Sequence, residues 1–282
     1  MKRLGIVSIL LVCATAASAQ NVRTYVSNVG VDSGTTCAST APCRTIQYAL
    51  NLTNSGGDVV VQTSGTYGSS LVIDRAINII VPDAIWALMN NSGTNSGIYV
   101  NAGASDVVRI KGLNILSTAN NQGVGLNVGT CKRTEYSNAQ ITRVGYGVYI
   151  GVDTRLTLDH VTITDVTTGI WCIGSGTSAQ AFPNQHLGPF LRVVVTNSVI
   201  RGASTGVKLD AGSFEMGNDN IISFCTTDAY MIQAGVPSCS YVTNNGLMNH
   251  FTGVCNPNCA ACGCGNVQDL RNGMTQTGDC EY

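Results

Sequence analysis

The sequence contains few charged residues and no excess of either sign. Charged side chains make up 11% of the 282 residues, with 15 Lys plus Arg against 16 Asp plus Glu. A chain without excess positive charge neutralises few phosphates, so duplex DNA and RNA are excluded as expected partners. Helical bundles and coiled coils need charged outer faces, so these folds are excluded as well.

Long hydrophobic runs are missing, except near the first residue. Two basic residues at positions 2 and 3 precede an apolar run over 4–16 and Ala-Ser-Ala at 17–19, which is the pattern of a cleaved signal peptide. The run is shorter than the about 20 residues that span a bilayer. We predict a signal peptide over 1–19, no membrane span, and a secreted or periplasmic, monomeric mature chain that begins at Gln20.

The uncharged residues that make up most of the sequence favour β structure. The sequence has 32 Gly and 44% hydrophobic residues, and its polar positions are mostly Thr, Asn and Ser. Abundant Val, Ile and Leu with low net charge exclude a disordered chain. The composition therefore predicts a well-packed all-β fold with many turns.

Cysteines are frequent for the length of the chain. Of 12 in the sequence, 11 follow position 19, and export makes disulfides their default state. Cys37 and Cys43 are six apart in a polar loop, which predicts a disulfide that closes a small ring. The odd number leaves one thiol unpaired, and the sequence does not identify it.

The tail over 255–282 carries a second group of cysteines. Four of them follow a C-x3-C-x2-C-x-C pattern: Cys255, Cys259, Cys262 and Cys264. Thiolates at such spacings could ligate zinc. The pattern lacks paired C-x2-C knuckles, so we favour disulfides and predict no metal there.

A repeat organises the middle of the chain. Leu156-x-Leu158-x-x-Val161-x-Ile163, followed by Gly169-Ile170, recurs in the same frame with Ile115, Ile141 and Ile200 in the place of Ile163. These isoleucines are 26, 22 and 37 residues apart. Short period-2 strands at a nearly constant interval, with no helical pattern between them, predict a β-solenoid whose equivalent residues stack. Asn138, His160, Asn197 and Asn220 should stack at one bend.

Three segments carry a resemblance to a known family: Tyr25-Val26-Ser27, the segment from Cys37 to Gln47, and Gly-Ile-Tyr-Val-Asn-Ala-Gly over 97–103. The chain resembles secreted bacterial right-handed parallel β-helix repeat proteins of the pectin-lyase-like superfamily. The resemblance implies a single-stranded right-handed parallel β-helix. It also implies that the helix after the Cys-bounded loop caps the first end.

The resulting domain plan has four parts. The signal peptide over 1–19 precedes an N-terminal cap over 20–58, with the disulfide loop and a short helix. The parallel β-helix covers 59–254 in about seven coils. The Cys-rich segment over 255–282 is a C-terminal cap or tail.

Many members of this superfamily cleave polysaccharides, but their motifs are incomplete here. Leu158-Asp159-His160 is similar to a pectate lyase segment and lacks its Trp. Arg109-Ile110-Lys111 is similar to the last polygalacturonase motif, and none of the preceding motifs is present. The coil pattern explains both matches better than catalysis does.

The repeat frame itself predicts a binding site. It places Arg133, Arg155 and Arg192 at one outward position on successive coils, with Arg109 on the same face one coil earlier. Stacked arginines repel, and their forked guanidinium groups bind carboxylates, so the row predicts an acidic polysaccharide. The alternative is that Glu135, Asp153 and Asp159 neutralise the row as an ordinary solvated face.

A long loop over 172–190 adds candidates for catalysis. His186 in this loop, Asp159 and Arg155 could supply acid, base and cation for uronate cleavage. Asp153, Asp159 and Asp165 could hold Ca²⁺ in such a lyase, although no cofactor is required for binding. Trp171 could stack on a sugar ring. Three functions remain open: a glycan-binding or envelope-associated protein, a polysaccharide lyase or hydrolase, and a structural or adhesin-like rod without a ligand.

Overall fold

The structure is a computed structural model that describes most of the chain between positions 21 and 275. The described residues are 21–119, 121–152, 154–173, 191–209, 213–217, 219–223, 228–232, 241–244, 250–251, 267–269 and 274–275. The predicted signal peptide, the loop over 174–190 and most of the Cys-rich tail lie outside them.

The described residues form one short helix and 22 strands, which confirms the all-β prediction. In chain order they are β1 (Asn21–Val26), α1 (Ile46–Asn51), β2 (Thr53–Val61), β3 (Gly65–Thr66), β4 (Leu71–Ile73), β5 (Ile77–Ile80), β6 (Ala87–Asn91), β7 (Ser96–Val100), β8 (Val107–Lys111), β9 (Leu113–Ser117), β10 (Gln122–Val128), β11 (Arg133–Thr142), β12 (Val144–Ile150), β13 (Arg155–Cys172), β14 (Arg192–Thr196), β15 (Val199–Leu209), β16 (Ser213–Met216), β17 (Ile221–Ser223), β18 (Asp228–Ile232), β19 (Tyr241–Asn244), β20 (His250–Phe251), β21 (Val267–Asp269) and β22 (Met274–Thr275).

The strands pair into one curled, mainly parallel sheet with three faces. Face A contains β1, β2, β5, β8, the first part of β11 and of β13, β14, β16, β19 and β21. Face B contains β3, β6, β9, the end of β11, the middle of β13, the start of β15, β17 and β20. Face C contains β4, β7, β10, β12, the ends of β13 and β15, and β18. Each passage of the chain through the three faces is one rung.

The core lies inside the three faces and is built from stacked side chains. On face B, Ile115, Ile141, Ile163, Ile200 and Ile222 are in register on successive rungs, and each is at most 2% exposed. The equivalence of the first four, predicted from their spacing, is therefore confirmed. Parallel neighbours lie about 4.8 Å apart, so identical branched side chains pack on one another along the whole sheet.

Glycines pack against this isoleucine stack from face C. A Cβ atom on Gly147 would lie 2.6 Å from Ile163 Cγ2 of the next rung and 2.5 Å from the carbonyl oxygen of Gly169. Gly125 meets Ile141 Cγ2 and the Gly147 oxygen in the same way. Gly147-Val148 and Gly169-Ile170 of the repeat, with Gly125-Leu126 one rung earlier, thus mark positions with no room for a side chain.

On four successive rungs, one residue of left-handed backbone makes the turn from face A to face B. Asn138, His160, Asn197 and Asp219 have φ between 50° and 55°, and they occupy equivalent positions. Asn220, predicted at this bend, instead lies one residue later, where its Oδ1 accepts from Ser198 N at 3.1 Å. The bend selects residues that tolerate positive φ, for which Asn, Asp and His are enriched.

The N-terminal segment combines the disulfide with the helix. The predicted Cys37–Cys43 disulfide is present, with a Cα–Cα distance of 5.0 Å. Thr45 is the N-cap of α1, where its side chain accepts from Tyr48 N at 3.2 Å. The helix buries Ile46, Ala49 and Leu50 and contacts β1, β2 and β4.

Candidate functional site

The three predicted arginines form a row on face A. Arg133 pairs in register with Arg155, and Arg155 pairs with Arg192, so one arginine occupies the same position on three successive rungs. These positions open β11, β13 and β14. The side chains point outward, because the adjacent Leu156 and Val193 are fully buried and neighbours along a strand alternate. The stacking predicted from the frame is therefore confirmed, and its ligand remains a prediction.

Arg109 lies in a different column from the row. It pairs with Glu135, two positions further along the strand, whereas the partner of Arg133 on that rung is Val107. Glu135 bridges two arginines, with Oε2 at 2.9 Å from Arg109 Nε and Oε1 at 2.9 Å from Arg133 Nε. One end of the row is thus neutralised by the carboxylate expected in the solvated-face alternative.

That compensation does not reach the middle of the row. The residues in register with Glu135 on the next two rungs are Thr157 and Val194, which carry no charge, and Glu215 follows on the third rung. Arg155 is exposed, and its side chain makes no ion pair or hydrogen bond with any residue that the structure describes. The middle of the row is therefore an exposed guanidinium without a carboxylate partner in the described part of the chain.

Asp159 and His160 lie at the opposite end of the same strand. Partial burial acts to raise the pKa of Asp159, but hydrogen bonds from Asn197 Nδ2 (2.8 Å) and Thr196 Oγ1 (2.7 Å), with His160 Nδ1 at 3.0 Å, hold the pKa below its usual range. A carboxylate with a lowered pKa is a weak base and stays ionised near neutral pH. Its oxygens stabilise the bend at His160.

The predicted catalytic residues are not brought together within the described part. Arg155 and Asp159 are four residues apart on one straight segment, or about 13 Å at the usual rise of a strand. His186 and Asp153 lie outside the described residues. Asp159 precedes the bend at His160, and Asp165 lies at the next bend of β13. No group of three or more His, Cys, Asp or Glu in the described part is arranged to hold a metal. Catalysis and calcium binding therefore stay predictions.

Trp171 belongs to an aromatic cluster on face C. Its ring centroid lies 4.9 Å from that of Tyr146 and 5.6 Å from that of Tyr149, which meets it edge to face. Lys208 Nζ lies 4.3 Å from the Trp171 centroid. Register places Tyr149, Trp171 and Lys208 in one outward column, and all four side chains are partly exposed.

Sequence reasoning identified Trp171 and missed the other three members of this cluster. The signal was present in the repeat, because Tyr149 follows Gly147-Val148 at the same spacing as Trp171 follows Gly169-Ile170 and Lys208 follows Gly206-Val207.

No family model matches the chain, and no curated protein matches its sequence. No helix among the described residues is long and apolar enough to cross a membrane.

Proposed function

We propose that the protein is an exported parallel β-helix that binds an acidic polysaccharide through the arginine row of face A. Arg155 is the observation that carries the proposal, since it is an exposed guanidinium between two stacked arginines with no carboxylate partner among the described residues. A guanidinium fork binds a carboxylate in a bidentate manner. A chain of uronate residues would place such groups along the row.

The decisive experiment measures binding of a polyuronate, such as polygalacturonate or alginate, by calorimetry. Arg155→Gln should weaken binding about tenfold, since a charged hydrogen-bonded pair contributes about 1.5–3 kcal/mol. Arg155→Lys should recover only part of the loss, because the ammonium group keeps the charge without the fork. The matched control is Arg201→Gln, which removes one exposed arginine from face B.

The outcomes separate the three candidate functions. Equal losses of affinity in Arg155→Gln and Arg201→Gln would show that binding depends only on general charge attraction, and this would contradict the proposal. Absence of binding to every acidic polysaccharide tested would favour a structural rod. New unsaturated or reducing ends in the polyuronate would indicate a lyase or hydrolase. We expect no cleavage and equal binding in EDTA, since the proposed contacts require neither metal nor cofactor.

The fold assigned within this proposal is a right-handed parallel β-helix of about seven coils, of the pectin-lyase-like type. The resemblance of the N-terminal segment to that superfamily supports the pectin-lyase-like type. Connections between parallel strands of one sheet are right-handed in nearly all proteins, which supports the right-handed helix. The disulfide supports an oxidising location, either secreted or periplasmic. We expect a monomer.

We also propose that residues 20–58 cap the first end of the helix. Backbone groups of the disulfide loop bond to β1, where Tyr25 N donates to Cys37 O at 2.8 Å and Cys43 N donates to Tyr25 O at 2.9 Å. Arg44 Nη1 donates to Thr66 O of β3 at 2.7 Å. The Gln47 amide bonds both backbone groups of Val72 in β4, accepting at 2.8 Å and donating at 3.2 Å. The first strand of every face therefore has polar partners at its edge, which a solenoid end needs.

A further inference from the structure

The aromatic cluster and the arginine row border the same connection between faces. On the rung of β12, face C ends at Ile150 and face A resumes at Arg155. Tyr149 and Arg155 are six residues apart, which limits the distance between their backbones to about 20 Å. On the next rung, Trp171 and Arg192 flank the longer connection in the same order.

The tyrosines of face C extend toward this connection. A Cβ atom on Gly151 would lie 3.2 Å from Tyr149 Cε1, and a Cβ atom on Gly129 would lie 3.3 Å from the hydroxyl of Tyr99. Both rings thus lie against backbone that has no side chain, at the first residue beyond face C. Tyr149 remains partly exposed there, between the Trp171 ring and the start of the connection.

We infer that Tyr146, Tyr149, Trp171 and Lys208 form a second contact for the same ligand, so that an acidic sugar chain crosses the edge between faces C and A. This inference rests on the proposed function. A uronate ring has an apolar C–H face, which packs on an aromatic ring, and a carboxylate, which pairs with a cation. The rings with Lys208 offer both on face C, and Arg155 offers the cation on face A.

A ligand that contacts both faces belongs to a narrower chemical class than a ligand of the arginine row alone. Sulfate or isolated carboxylates would satisfy the arginines alone. A contact on both sides of the connection requires a chain of several pyranose rings with a carboxylate. Ring packing also predicts a contribution to affinity that salt does not screen, in contrast to the guanidinium contact.

Fluorescence offers a direct test, because the sequence has two tryptophans. In a Trp86→Phe background, Trp171 is the remaining reporter, and Trp86 itself lies immediately before β6 of face B. Titration with oligogalacturonates should change Trp171 emission with saturation. Tyr149→Ala should weaken binding about 3- to 10-fold both at about 0.01 M and at about 1 M salt. The loss of affinity caused by Arg155→Gln should become smaller as the salt concentration rises. Tyr149→Phe, which keeps the ring, should bind with an affinity within about twofold of that of its parent.

The possible failures are distinguishable. Arg155-dependent binding with unchanged Trp171 emission and no loss in Tyr149→Ala would overturn this inference and leave the proposed function intact. No binding by calorimetry in the parent would overturn both. If Tyr149→Ala loses its β-sheet circular dichroism, Lys208→Gln replaces it. That variant should lose affinity at low salt only, and unchanged affinity there would overturn the inference.

Discussion

Substitution of Gly147 by alanine should destabilise the protein because the glycine stack leaves no room for a methyl group. The added Cβ would lie 2.5 Å from the Gly169 carbonyl oxygen and 2.6 Å from Ile163 Cγ2, well inside contact distance. Backbone on the next rung has to shift, and forcing extra methylenes into a packed core costs about 1–3 kcal/mol. Alanine also lowers the conformational entropy of the unfolded chain, which offsets about 0.4–1 kcal/mol of this loss of stability. We expect a net loss of about 1–2 kcal/mol.

Gly93→Ala is the matched control, since a Cβ atom there meets nothing within 4 Å and φ is not in the left-handed region. Urea unfolding followed by far-UV circular dichroism measures both variants against the parent. Gly147→Ala should lower the midpoint, and Gly93→Ala should match the parent or exceed it slightly. Equal midpoints for the two variants would refute the packing of glycines against isoleucines on which this description of the core depends.

Three further predictions concern the bend, the cap and the disulfide. Because its pKa is lowered in the folded protein, Asp159 contributes stability above its unfolded pKa of about 3.9, and this contribution is lost as the pH falls through the folded value. The difference in urea midpoint between the parent and Asp159→Asn should therefore shrink below about pH 4, and a difference independent of pH would contradict the assignment. Gln47→Ala frees the edge of β4 and should increase association in size-exclusion chromatography, whereas Gln122→Ala, an exposed glutamine within face C, should not. Cys37→Ser with Cys43→Ser should lower the free energy of unfolding by about 2 kcal/mol, and equal melting of oxidised and reduced parent protein would argue against this.

The core of the fold was predictable because the solenoid repeats one local arrangement. Ile141 and Ile163 need the same neighbours, and a parallel register places them side by side, so their spacing alone identified the stack. The same logic placed Arg133, Arg155 and Arg192 correctly. The position of a residue within the repeat determines which residues of other rungs stack with it, and the sequence contains enough copies of the repeat to identify these positions.

Arg109 lies on the same face as the row one rung earlier, as predicted, and pairs with Glu135 in the neighbouring column. An error arose where a single residue shifts the frame. The last bend was assigned to Asn220 on residue type, whereas backbone conformation selects Asp219. Tertiary contacts between faces, such as the packing of Gly147 on face C against Ile163 on face B, do not follow from the frame at all.

Two adjacent outward columns of face A differ in how their charges are arranged. Both columns lie on the same strands and face solvent, so they share the same requirements for β structure. The column that contains Arg109 mixes both signs of charge, and its members in order are Arg23, Asp58, Asn78, Arg109, Glu135, Thr157, Val194 and Glu215. Its opposite charges form two ion pairs, Arg23 with Asp58 and Arg109 with Glu135. The other column repeats arginine three times, although stacked like charges cost about 1 kcal/mol per close pair even in water. Thr157 and Val194 lie two positions after Arg155 and Arg192 on the same strands. Strand formation therefore does not require arginine at the outward positions of face A. The ligand that we propose, an anion that spans successive rungs, would account for the three arginines, and it would convert the repulsion into binding energy.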